Sequence, residues 1–147
     1  MIVHGIDVAA VERAIAAAER ATTGEIRVAL SRFYFWGDVQ RAAERAFTRL
    51  RIGHTRGHNG VLIFVAPWRR RFAILGDDGI HRRVEDGFWD ATAAALVQAF
   101  RAGDLTGGLV RAIETIGARL AVHFPVPPGA GGNPNELPDH VAVGRQR

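Results

Sequence analysis

The chain contains no cysteine and no lysine. Without thiols there is no disulfide, no thiolate nucleophile and no Cys-ligated zinc. This fits a reducing compartment. Without lysine, Schiff-base chemistry and a P-loop lysine are excluded, and arginine supplies all 19 basic side chains. Long apolar runs are also missing, since no stretch approaches the ~18 residues of a membrane span. The N-terminal segment has no basic stretch followed by a long apolar one. Asp7 and Glu12 interrupt it early, which argues against a secretory signal. The expectation is a cytoplasmic protein without a transmembrane segment.

What is present is ordinary for a globular chain: 147 residues, 48% hydrophobic and 23% charged. That length predicts one domain, burying roughly two-thirds of its unfolded surface. The net charge is only +4, and the arginines are spread along the chain. Many sit beside acids, as in Glu12/Arg13, Glu19/Arg20 and Glu44/Arg45. A solvated surface explains this better than a nucleic-acid face, so nucleic acid is an unlikely partner.

Hydrophobic spacing gives the order α-β-α-β-β-α-α. Asp7 can cap a helix over 7–22, with Val8, Val11, Ile15 and Ala18 on one stripe. A strand comes next over 25–31, with Ile26, Val28 and Leu30 on its more buried face. An aromatic loop, Phe33-Tyr34-Phe35-Trp36, precedes a helix capped by Asp38 and stopped near Ile52 by Gly53. The continuously apolar run 60–66 predicts a central strand covered on both faces. Arg69-Arg70-Arg71 turns the chain into an antiparallel strand over 72–75. After Gly76-Asp77-Asp78-Gly79, Asp86 caps a third helix. A fourth, begun at Asp104 or Thr106, runs to about His123. From Pro125, proline and glycine dominate and periodicity ends. The chain therefore divides into an α/β domain, 1–124, and a flexible tail, 125–147. The fold class is a Rossmann-like three-layer α/β sandwich. Its small mixed sheet has a parallel β-α-β unit, an antiparallel hairpin strand and helices on both faces.

The hairpin geometry picks out a candidate site. If 60–66 runs parallel to 25–31 and antiparallel to 72–75, one end of the sheet gathers Thr23, Glu25, Asn59, Asp77 and Asp78. Hard cations take six to eight oxygen ligands, so this end could hold calcium. Equally, Asp-Asp-Gly could simply form a turn and cap the next segment. His54 and His58 have the i, i+4 spacing of a zinc pair, but Gly53 and Gly57 mark a loop. His81 adjoins the acidic loop and could tune it. Arg69–Arg71 with Trp68 could grip an anion, although a hairpin tip is also where solvated arginines belong. Four adjacent aromatics at 33–36 cannot all face the core from one loop, which points to a partner surface.

The stretch Thr23-Gly24-Glu25-Ile26, then Asn59-Gly60-Val61-Leu62 with Val65-Ala66-Pro67, resembles the TPM domain family. So does the closing segment: Phe88-Trp89-Asp90, Phe100-Arg101-Ala102-Gly103-Asp104 and Gly107-Gly108-Leu109. That family includes a plant thylakoid-lumen protein linked to photosystem II repair and many bacterial proteins, and the resemblance spans roughly 7–124. It implies an α/β/α sandwich and binding of calcium or another divalent cation at the acidic loop. It also implies acid phosphatase activity in some members and interaction modules in others. This chain departs from the family where many members have a Gly-aromatic-Gly loop followed by Leu-Glu-Gly; here stands Gly76-Asp77-Asp78-Gly79-Ile80-His81. It also lacks an export signal and a C-terminal span. It reads as a short bacterial variant, a non-catalytic module with a cation at Asp77, Asp78, Glu25 and Asn59 and a protein partner, one at a membrane included. The alternatives are a metal-dependent acid phosphatase using the same loop, or an arginine-mediated binder of nucleic acid or a membrane surface.

Overall fold

A computed structural model describes residues 1–31, 36–129 and 131–144. In chain order the elements are β1 (Ile2–Val3), β2 (Ile6–Asp7), α1 (Val8–Glu19), β3 (Glu25–Ser31), α2 (Val39–Arg49), β4 (Gly60–Ala66), β5 (Arg71–Gly76), α3 (Asp78–His81), α4 (Phe88–Arg101), α5 (Leu105–His123) and β6 (Ala142–Gly144). The main sheet has the order β5-β4-β3-β6. β4 is parallel to β3 and antiparallel to β5, as the sequence predicts. The short β1–β2 hairpin, which carries too few residues for a sequence signal, precedes α1.

Alternation along the strands fills both faces. Ile26, Val28, Leu30, Val61, Ile63 and Val65 pack under α1, α4 and α5. Ala29, Leu62 and Phe64 pack on the other face against Ala42, Ala43 and Ala46 of α2. The chain is thus a three-layer α/β sandwich. Glycines let its helices approach closely. A Cβ on Gly117 would lie 2.7 Å from Ala18 Cβ, and one on Gly108 would lie 2.6 Å from Ala99 Cβ. Asp7, Asp38 and Asp104 cap their helices through their carboxylates, satisfying otherwise orphaned N–H groups.

Several expectations are corrected. α2 ends at Arg49, and Arg51, not Gly53, takes the left-handed position after it, at φ 61°. α4 starts at Phe88 behind Gly87, not behind Asp86. β3 is buried along its whole length, so neither face is the wet one. The cause lies in the largest difference, residues 125–129 and 131–144. Read from sequence as a flexible tail, this segment instead returns along the sheet. β6 pairs in parallel with β3 at Ala29–Ser31, and Leu137 enters the α2-side core. Its anchors are single polar contacts rather than a hydrophobic period. The Asn133 side-chain amide donates to Glu19 O (3.2 Å), Gly24 O (2.9 Å) and Thr22 O, and Val141 N–H donates to Glu12 Oε2 (2.7 Å).

Candidate functional site

The amino ends of β3 and β4 and the carboxyl end of β5 meet as the strand directions require. Glu25 pairs with Gly60, and Asp77 N–H donates to Gly60 O at 2.9 Å. Glu25, Gly60 and Asp77 thus form one row across three strands. Gly60 is required at its centre, because a Cβ there would meet Ile52 O at 2.6 Å. Buried Ile52 therefore caps the middle of the row and stands between the two carboxylates.

On the β5 side, Asp77 Oδ1 accepts from Asp78 N (2.9 Å) and so caps the one-turn α3. Its Oδ2 lies 3.3 Å from Nδ1 of His58, an exposed side chain. Asp78 is exposed in the first turn of α3. Gly79 fits only because it has no Cβ, which would fall 2.2 Å from Gly57 O and 2.5 Å from His58 O. That contact locks the 57–58 loop onto α3, and Ile80 N–H donates to His58 O. His81 is exposed, and so is His54.

On the β3 side the environment is dry. Glu25 is fully buried; Oε1 accepts from Leu137 N (3.0 Å), while Oε2 has no partner. Burial pushes its carboxyl up to about 7, with Asp139 and Glu136 adding to the rise and the Leu137 N–H and Asn133 opposing it. Asn59 is 2% exposed. Its N–H donates to Thr55 Oγ1, its side-chain amide donates to Thr23 Oγ1 (3.3 Å), and its Oδ1 has no partner.

The sequence reading missed Glu19, which it counted with Arg20 as a surface pair. Glu19 is 2% exposed and its Oε2 accepts from Ile26 N (2.7 Å). Burial, then a hydrogen bond with Asp139, pushes its carboxyl up to about 10. Glu19, Asn133 and Asp139 line a cavity of ≈ 260 Å³ beneath the returning C-terminal segment. The available signal was position: Glu19 extends the stripe Val8, Val11, Ile15 by four residues.

The structure therefore divides the predicted set. Asp77 and Asp78 share one rim with His58, whereas Glu25 belongs to the dry carboxyl cluster and Asn59 to the Thr23–Thr55 pair. Among the described residues, no three His, Asp or Glu side chains are placed to hold a metal ion together. A cation at this rim would have two adjacent carboxylates and otherwise backbone carbonyls and water. Phe33, Tyr34 and Phe35 lie outside the described residues, and Trp36 beside them is 87% exposed.

A family model described as the TPM domain matches residues 4–119. The solution structure of BA42 protein from the psychrophilic bacterium Bizionia argentinensis is similar at 39% identity and a TM-score of 0.82, with 93% of this chain and 92% of that one covered. The N-terminal domain of cg2496 protein from Corynebacterium glutamicum is similar in fold, at 20% identity and a TM-score of 0.59 over 76% of this chain and 70% of that one. No curated protein matches.

Proposed function

The chain belongs to the TPM domain family, and from that premise we propose a non-catalytic binding module that takes a divalent cation, calcium by preference, at Asp77 and Asp78. One observation carries this reading. The chain has 19 basic residues, all arginine, yet among the described residues no arginine pairs with either of these adjacent carboxylates. Two carboxylates adjacent in the chain and free of arginine, with only His58 beside Asp77, favour a hard cation that keeps most of its water. A site this open is weak, in the ~10⁻⁴–10⁻³ M range of calcium sites with few charged ligands.

Thr23 and Thr55 accept hydrogen bonds from Asn59 and fix its side chain and backbone at this end of the sheet. A protein partner is the second part of the proposal. Ile2 (72% exposed) and Trp68 (59% exposed) leave apolar surface uncovered, and the His4 ring packs on Trp68 with centroids 4.6 Å apart.

Thermal melts with and without calcium test the cation. At ten times Kd, binding stabilises by about 1.4 kcal/mol, a rise of a few degrees in Tm. The double variant Asp77→Asn/Asp78→Asn loses that rise. An unchanged melt at about 10 mM calcium, or a rise that survives the double variant, rejects the site. Phosphoester hydrolysis that requires the metal and both carboxylates would instead establish the phosphatase alternative.

A further inference from the structure

At the opposite end of the sheet, beyond the carboxyl ends of β3 and β4, a cleft of ≈ 690 Å³ is lined by Trp36, Asp38, Arg69, Arg70, Arg71 and Phe72, among others. We propose that this cleft binds a small molecule carrying a planar ring and adjacent phosphates, a nucleoside diphosphate or triphosphate.

Its position is where open α/β sheets hold ligands, outside the carboxyl ends of parallel strands. Its volume falls within the roughly 300–1,000 Å³ of small-molecule clefts. Its charge is unbalanced. Three consecutive arginines line it against one acidic residue, Asp38, whose carboxylate is already engaged by the N–H groups of Gln40 (2.8 Å) and Arg41 (3.3 Å) at the start of α2. Like charges held together favour a polyanion between them, and guanidinium forks match phosphate oxygens two at a time.

The guanidiniums are also held in place. Arg69 donates to Gly37 O, and Arg70 donates to Phe100 O at 3.0 Å. Arg70 does so from the left-handed region, φ 50°, a conformation non-glycine residues seldom adopt. Arg71 is exposed at the start of β5. A strained backbone that fixes a basic tip over a cleft costs stability and pre-organises the anion contacts. Trp36, 87% exposed at the rim, offers a face on which a ring can stack.

A nucleic-acid strand fits less well. Its backbone needs a basic groove several nucleotides long, whereas this charge sits at one hairpin tip. The proposal does not depend on the cation reading, since the two sites lie at opposite ends of the sheet.

Calorimetric titration of the full chain at near-physiological salt tests it, with ADP, pyrophosphate, a single-stranded oligonucleotide and phosphatidylglycerol vesicles as separate probes. ADP should bind, and pyrophosphate more weakly because it cannot stack. Arg71→Ala should weaken both about tenfold or more, and Trp36→Ala should weaken ADP alone. Asp77→Asn/Asp78→Asn should change neither. Arg71 is exposed and anchors nothing in the core, so its variant should melt like the parent, and Arg71→Glu gives a second such variant. No ADP binding at millimolar concentration, or equal binding by parent and both Arg71 variants, would overturn the proposal. So would oligonucleotide or vesicle binding that ADP fails to displace.

Discussion

Glu19 holds a buried carboxyl, and its placement sets the sign of its contribution to the molecule's pH dependence. Its folded value rises from 4.5 to about 10, and that of Glu25 rises from 4.5 to about 7. The folded state therefore keeps protons that the unfolded chain releases above about pH 4.5. The stability these groups contribute is complete below that value and is lost as pH rises towards the folded values. For Glu25 the loss is finished near pH 7, and for Glu19 it continues towards pH 10. Glutamine can accept the same bonds from Ile26 N and Leu137 N without a proton to lose. Urea unfolding should show Glu19→Gln gaining on the parent as pH rises from 5 to 9, and Glu25→Gln gaining only up to about 7. A pH-independent difference would contradict this account. Gly79 makes a second residue-scale case. A methyl group there meets two backbone carbonyls that cannot step aside. Gly79→Ala should cost about 1–3 kcal/mol in the same measurement.

The elements divide by the range of the interactions that specify them. α1, α2, α4 and α5 are legible because caps and apolar spacing are local, and β4 because its run is unbroken. The site row was legible for the same reason, since strand direction alone places Glu25, Asn59 and Asp77 at one end. β6 was not legible. It has three residues, and its docking rests on contacts such as Leu137 N–H to Glu25, 112 positions apart. Glu12 and Glu19, two of the carboxylates that receive the segment, look in sequence like surface acids beside arginines. Asn133 is its main anchor, and Asn133→Ala strips a donor from three backbone carbonyls. The expected loss is about 1–3 kcal/mol. Hydrogen exchange should show the Leu137 and Val143 amides opening before those of β4. Unchanged protection there would mean that β6 is held by something other than Asn133.

As a whole, the molecule is a sheet covered on both faces, with the two proposed sites at its opposite ends. No helix among the described residues is long and apolar enough to cross a membrane. Both clusters of the core meet at β4, whose Phe64 is fully buried. Phe64→Ala should therefore lower stability by about 3–5 kcal/mol, read from urea unfolding. The split of the predicted four-residue set also belongs to this scale. Over the Gly60 between Glu25 and Asp77 sits Ile52, an apolar residue from the α2–β4 connection with no chemistry of its own. Asp78 faces water and Asp77 lies half-buried beside it, and Glu25 is enclosed with Glu19 and Asp139. The most direct test of the cation reading is a calcium titration followed by amide NMR shifts, carried to about 10 mM, above the weakest calcium sites. Saturable shifts confined to 57–59 and 76–81 are the predicted result. No shift, or shifts centred instead on Glu19, Glu25 and Asp139, would contradict it.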